Sequence, residues 1–253
     1  MLLLVDIGNS NTHVGLADEA RILRTTNLPT SPSGQGEASE RLQGFINDQR
    51  LTGAAFCSVV PNATQALRSL LDAQWNVPAI ELKPGTLIGI DIDYPKPDTI
   101  GPDRLANAMA VVAQYGAPAV VVDFGTAVTF DVVDASRNYI GGIIAPGLSA
   151  MTGYLHEKTA LLPAIEVREI DAVVGKSTEE AMLIGAVHGY RSLIQGLLAK
   201  LKNTLNAEHL KVVATGGHAE LVASRISGIS AIEPLLTLNG LHLLGAQTFL
   251  KQR

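Results

Sequence analysis

Residues 4–9 read LVDIGN, and residues 121–126 read VVDFGT. In each copy an apolar run leads through Asp and Gly into a second apolar run, which is typical of two strands joined by a tight turn. The aspartates, Asp6 and Asp123, are 117 residues apart, close to half of the 253-residue chain. Turns often carry Asp and Gly, so coincidence is the alternative explanation. The half-chain period and the strands that follow each copy favour an internal duplication.

The duplication predicts an α/β protein of two domains, residues 1–116 and 117–253, each opening with three strands. Helical spacing of apolar residues predicts further elements. The Pro-, Ser- and Gly-rich run 29–36 predicts a loop. The predicted helices cover residues 38–49, 63–73, 103–115, 148–156, 178–205, 219–226 and 238–250, and short strands are predicted over 54–59, 79–82, 88–92 and 211–214.

The composition excludes several classes of protein. Hydrophobic residues make up 47% and charged residues 17%, which argues against disorder, and a net charge of −5 argues against a nucleic-acid surface. The apolar start of the chain is too short for a signal peptide, and no run is long enough for a membrane span. The single cysteine, Cys57, excludes an intrachain disulfide and is predicted to be a small buried hydrophobe. We therefore expect a cytoplasmic protein without nucleic-acid or membrane partners.

The two glycine turns have the chemistry of a triphosphate site. Backbone N–H groups in tight turns can bind clustered phosphate charges, and Gly lets the main chain approach them. Asp6 and Asp123, at the strand ends, could then hold a metal ion directly or through water. A turn-stabilising side chain is the alternative for either aspartate alone, but the pair favours phosphate binding.

A second candidate cluster, Gly101-Pro102-Asp103-Arg104, stands at the head of a predicted helix. Pro and Asp are both common in a first helical turn, so a purely structural role is a strong alternative. In the functional interpretation, Asp103 accepts a hydroxyl proton during phosphoryl transfer, and Arg104 binds a phosphate or carboxylate.

Other nucleotide and catalytic motifs do not fit. The sequence Gly175-Lys176-Ser177 resembles the end of a P-loop, but Ile170 occupies the position of its first glycine. The histidines have no zinc-like spacing, and no nucleophile elbow is present.

Taken in order, three motifs resemble type III pantothenate kinase, a family of the acetate kinase, sugar kinase, heat-shock chaperone and actin superfamily. They are DIGNSN from Asp6, GPDR from Gly101 and DFGTAVTFD from Asp123, and the resemblance covers nearly the whole chain. It implies duplicated actin-like (ribonuclease H-like) domains with mixed sheets and a cleft between them. It also implies ATP-dependent phosphorylation of pantothenate, the first step of coenzyme A synthesis, by a homodimer that uses Mg²⁺ and K⁺ or NH₄⁺.

The resemblance also implies residue roles. Asp103 would be the general base, Asp123 would bind the monovalent cation, and Asp6 would bind Mg²⁺ directly or through water. The phosphate loop would comprise Asp6, Ile7, Gly8, Asn9, Ser10, Asn11, Thr12 and His13, and Thr126 would contact ATP. The pantothenate site would comprise Tyr94, Gly101, Pro102, Asp103, Arg104 and Thr178. Residues 215–217 (TGG) resemble the superfamily's adenosine loop, and His156 and His218 are expected to be structural or surface residues.

The chain departs from the family pattern at Pro102, where Ala is usual; Pro is compatible with a first helical turn, so we expect the site to be retained. Two other functions stay open at this point. One is a non-enzymatic regulator of the same fold that binds nucleotide or pantothenate, since fold alone does not give function. The other is a kinase for another small hydroxylated substrate.

Overall fold

The computed structural model describes residues 1–30 and 35–250. Residues 31–34, half of the predicted loop over 29–36, lie outside the described residues, whereas Pro29 ends a strand and Gln35 begins a helix. The chain forms two compact units. The first comprises residues 1–114 and the segment from Leu235 onward, and the second comprises residues 115–234.

The first unit is built on a mixed sheet with the strand order β3-β2-β1-β4-β5. The strand β1 pairs antiparallel with β2 and parallel with β4. The elements of this unit in chain order are β1 (Leu2–Ile7), β2 (Asn11–Ala17), β3 (Ile22–Pro29), α1 (Gln35–Ile46), β4 (Gly53–Ser58), α2 (Pro61–Leu70), β5 (Ala79–Glu81), β6 (Asp91–Ile92) and α3 (Pro102–Tyr115).

The second unit repeats this arrangement. Its strands follow the order β11-β10-β7-β8-β9, with β7 antiparallel to β8 and parallel to β10. The elements in chain order are β7 (Ala119–Phe124), β8 (Ala127–Val133), β9 (Asn138–Pro146), α4 (Leu148–Lys158), α5 (Thr178–Ile184), α6 (Tyr190–Leu205), β10 (Lys211–Thr215), α7 (Ala219–Ala223) and β11 (Ala231–Ile232).

The order β3-β2-β1-β4-β5 of the first unit corresponds to the order β9-β8-β7-β10-β11 of the second, which confirms the predicted duplicated α/β fold. The strands β1 and β7 each have six residues with the same sequence of buried and half-buried positions. Asp6 and Asp123 both occupy the half-buried fifth position. The two sequence copies therefore look alike because they occupy the same position in equivalent strands, and not because turns often share this composition.

The last helix, α8 (Leu236–Phe249), belongs to the first unit. It packs on the face of the first sheet that carries Leu2 and Ala55. Gly245 lets the helix come close to this face, since a Cβ added at residue 245 would lie only 3.2 Å from both of these side chains. The second unit therefore ends at Pro234, whereas the sequence predicted one domain over 117–253. Periodicity along the chain reveals an amphipathic helix but not the sheet that it covers.

Most predicted elements are present, and the differences have local causes. The predicted strand over 88–92 is reduced to the two residues of β6, since Gly89 adopts a φ of +74°. The predicted helix over 178–205 contains a π-helical turn, Gly185–Gly189, between α5 and α6. The strand β11 was not predicted, because two residues carry no periodicity. Within the described part of the chain, no helix has the length and apolar character needed to cross a bilayer.

Candidate active site

The first glycine turn joins β1 to β2 and presents polar residues to solvent. Ile7 and Thr12 are the last paired residues, and Gly8 closes the turn by donating its N–H to the carbonyl of Asn11 at 3.0 Å. A Cβ on Gly8 would stand 3.0 Å from that oxygen, so a side chain there would crowd the turn. Asn9, Ser10 and Asn11 are exposed. The turn thus offers short polar side chains and main-chain groups to a ligand.

The carboxylate of Asp6 lies beside Cys57 on the neighbouring parallel strand. The two residues are in register between β1 and β4, and the thiol of Cys57 donates a hydrogen bond to Oδ1 of Asp6 at 3.2 Å. Cys57 is fully buried, as the sequence predicted, but it also has a polar role that the sequence did not indicate. His13 is in register with Asp6 on β2, and burial lowers the pKa of its imidazole.

Asp103 stands in the first turn of α3, directly after Pro102, the first helical residue. Its Oδ1 accepts the backbone N–H of Arg104 at 2.9 Å. A Cβ on Gly101 would stand only 2.5 Å from the same oxygen. The absence of a side chain at residue 101 therefore makes room for the Asp103 carboxylate, and Pro102 is compatible with this arrangement.

The structure brings Asp6 and Asp103 into one electrostatic environment. Burial raises the pKa of the Cys57 thiol, and the negative charges of Asp6 and then Asp103 raise it further, so both carboxylates act on the same sulfur. Burial also raises the pKa of Asp103, against the opposing effect of Arg104. A carboxylate with a raised pKa is a better proton acceptor near neutral pH than an ordinary aspartate.

In the second unit, Asp123 lies against the glycine loop that follows β10. Thr215 and Asp123 are in register between parallel strands. The backbone N–H of His218 donates a hydrogen bond to the carbonyl of Phe124 at 3.2 Å, which holds the loop against β7. Gly216 has a φ of +91°, and a Cβ there would stand 2.5 Å from Oδ1 of Asp123. The TGG loop and the second glycine turn therefore form one local structure.

The second turn also meets the segment that follows β9. Gly147 donates its N–H to the carbonyl of Thr126 at 3.2 Å, and a side chain on Gly147 would collide with the carbonyl oxygens of Gly125 and Thr126. These oxygens and the Asp123 carboxylate are hard donors of the kind that bind Mg²⁺ or K⁺. Among the described residues, no cluster of three or more His, Cys, Asp or Glu side chains is arranged to bind a metal ion. A cation here would therefore depend on main-chain oxygens, water and phosphate.

Tyr94 and Thr178, the remaining predicted substrate residues, belong to different units. Tyr94 follows β6 and is 39% exposed. Thr178 is the exposed first residue of α5, and the N-cap is Ser177, whose hydroxyl accepts the N–H of Glu180 at 3.1 Å. Thr178 therefore does not cap the helix, and its side chain is exposed.

Two histidines that the sequence left as structural or surface residues line one cavity of about 430 Å³ in the second unit. His218 and Ser149 are hydrogen-bonded at 3.3 Å between Nε2 and Oγ, and His156 lines the same cavity. The only indication in the sequence that His218 could lie near a functional loop was its position directly after the TGG loop.

Known proteins resemble this chain over nearly its whole length. The family model described as type III pantothenate kinase matches residues 2–200. The chain belongs to the type III pantothenate kinase family. A type III pantothenate kinase from Methylacidiphilum infernorum is 44% identical over 245 residues, which cover 96% of this chain and 88% of that protein.

Solved structures at low identity share the fold of this pantothenate kinase family member. A protein described as a Baf family transcriptional activator from Campylobacter jejuni aligns with a TM-score of 0.61 and 22% identity, covering 97% of this chain and 98% of that one. The ROK hexokinase from Thermus thermophilus aligns with a TM-score of 0.50 and 15% identity, covering 96% and 97%. Both likenesses concern the fold alone, and they confirm the actin-like kinase fold class.

Proposed function

We propose that this chain transfers the γ-phosphoryl group of ATP to the primary hydroxyl of pantothenate, the reaction that opens coenzyme A synthesis. Membership of a family described by this activity supports the substrate. The observation that carries the mechanism is the half-buried Asp103 carboxylate, held at the start of α3 with a raised pKa. The pantothenate oxygen forms a bond to the γ-phosphorus, the bond from phosphorus to the ADP oxygen breaks, and Asp103 takes the hydroxyl proton.

The two glycine turns supply the phosphate contacts in this proposal. The exposed tip of the first turn, Asn9 to Asn11, offers amide and hydroxyl donors, and the second turn offers Thr126. Such donors act mainly by positioning and by stabilising charge, which are the main contributions of a protein to phosphoryl transfer. Side chains that reach the pantothenate come from Tyr94, Arg104 and Thr178.

The cations are assigned by donor chemistry. Asp6 would hold Mg²⁺, directly or through water, and Asp123 with nearby carbonyl oxygens would hold K⁺ or NH₄⁺. Both carboxylates offer the hard oxygen atoms that such ions prefer. When bound, the cations neutralise negative charge on the phosphates.

The test replaces Asp103 with Asn, which keeps the shape and the hydrogen bond from the Arg104 N–H but removes the base. We expect kcat to fall by about 10²–10⁴-fold with ATP affinity nearly unchanged. The matched control is Asp98→Asn, a nearby exposed carboxylate, which should leave turnover unchanged. Near-normal turnover in Asp103→Asn would show that Asp103 is not the base and serves only to stabilise the start of the helix.

A panel of hydroxylated acceptors, with ADP release measured in the presence of ATP, Mg²⁺ and K⁺, tests the substrate. Release with pantothenate alone supports the proposal. Release with a sugar but not with pantothenate would assign a different kinase activity. No release with any acceptor would favour a non-enzymatic regulator.

A cytoplasmic homodimer is part of the same proposal. The second unit exposes several large apolar side chains, among them Leu161 at 90%, Val173 at 76% and Val174 at 74%. Large apolar side chains exposed to this degree favour a surface that a partner covers. Light scattering after size exclusion should give about twice the 26.6 kDa chain mass; a monomer at micromolar concentration contradicts the dimer.

A further inference from the structure

The first unit contains a cavity of about 440 Å³ to which the proposed reaction assigns no substrate or cation. It lies between α1 and α2 and the face of the sheet opposite α8. Its floor is formed by Val5, Ile7 and Val14, which are at most 3% exposed. Ligand pockets commonly have volumes of about 300–1,000 Å³, and an apolar cavity of about 150 Å³ already binds benzene. The space is therefore large enough for a small organic molecule.

The lining of the cavity is apolar and uncharged. Leucines and alanines of both helices form the walls, and among the described residues none of the lining side chains is ionisable. A charged ligand would lose its hydration without a compensating partner, so a neutral one is favoured. The polar groups include Thr12 and Thr30, whose hydroxyls are hydrogen-bonded to each other at 2.7 Å. Each hydroxyl keeps acceptor capacity for a single ligand O–H.

We propose that this cavity is a binding site for a neutral, mainly aliphatic small molecule that carries one hydroxyl group. The apolar chain would lie over Val5 and Val14, and its hydroxyl would join the pair formed by Thr12 and Thr30. Burial of a short alkyl chain provides the driving force, at about 0.8 kcal/mol per CH₂ group.

The site has a direct connection to the first glycine turn. Ile7 and Thr12, the two residues that flank the turn, both line the cavity. A ligand bound in the cavity therefore contacts the base of the turn. By thermodynamic linkage, this ligand changes the affinity for ATP by the same factor by which ATP changes the affinity for the ligand. This coupling rests on the proposed function, whereas the binding site itself does not.

The experiment titrates 1-hexanol into the methyl-labelled full chain without nucleotide and follows the chemical shifts of valine and leucine methyl groups. We expect saturable shifts at Val14 and Leu67 and none at Val213, which is buried in the second unit. Hexanoate, which has a similar chain but is charged, should bind at least about tenfold more weakly.

Cavity-filling variants locate the site. Ala63→Phe and Ala66→Leu, both in α2, should each weaken hexanol binding by about tenfold or more, while Ala20→Phe on an exposed turn should not. If Ala63→Phe does not fold, the smaller Ala66→Leu change decides. Unsaturable shifts, or equal binding in the filled variants, would overturn the proposal. Saturable binding with no change in ATP affinity would leave the site in place and overturn only the coupling.

Discussion

The placement of Gly216 against Asp123 gives the sharpest structural prediction, for the substitution Gly216→Ala. An alanine at a φ of +91° is strained by about 1–2 kcal/mol. Its Cβ would also stand 2.5 Å from Oδ1 of Asp123 and 2.7 Å from the backbone N and C of Phe124, and such overpacking costs about 1–3 kcal/mol. We therefore expect the free energy of unfolding to fall by about 2–5 kcal/mol.

The neighbouring glycine provides the control. Gly217 has an ordinary φ, and a Cβ there would meet nothing within 4 Å, so Gly217→Ala should change stability by less than about 1 kcal/mol. Urea unfolding measures both variants. Because the new methyl group displaces the Asp123 carboxylate, Gly216→Ala should also need a higher K⁺ concentration for half-maximal activity. Equal stability and equal K⁺ response in the two variants would refute the packing argument.

Four further predictions concern polar groups of the candidate site and the ion pair between Arg191 and Glu169. Cys57→Ser should retain activity because its hydroxyl can still donate a hydrogen bond to Asp6. Cys57→Val loses this donor and should raise the Mg²⁺ concentration needed for half-maximal rate. Equal Mg²⁺ responses in the two variants would contradict a role of Cys57 in positioning the Asp6 carboxylate. Burial raises the pKa of Asp103, and a base is inactive once it is protonated. The value of kcat/KM should therefore fall with decreasing pH, with an apparent pKa above the ordinary aspartate value of about 3.9. An apparent pKa at or below that value would count against Asp103 as the base. Arg191 makes two hydrogen bonds to Glu169, at 2.9 and 2.6 Å, and Arg191→Met should lower the free energy of unfolding by about 3 kcal/mol. Arg191 holds the pKa of Glu169 at about 2, so in urea unfolding the difference between wild type and Glu169→Gln should be complete above pH 5 and shrink as pH falls toward 2; a constant difference would contradict this ion pair.

Much of the fold and of the candidate site could be predicted from the chain because the information is local. The run from apolar residues through Asp to Gly predicts a strand and a turn, and its recurrence predicted the duplication and the three strands that open each half, β1–β3 and β7–β9. Asp103 behind Gly-Pro was recognisable as the start of a helix for the same reason.

The tertiary structure decided the features that depend on pairing between distant residues. Cys57 meets Asp6 across 51 residues, and Gly216 meets Asp123 across 93 residues (216 − 123). Parallel strands place such distant residues side by side, and their separation in the sequence carries no pattern. The assignment of α8 to the first unit and the apolar cavity beneath α1 and α2 have the same origin. Sequence periodicity shows which face of an element is apolar, but only packing shows which surface covers it and how much space is left.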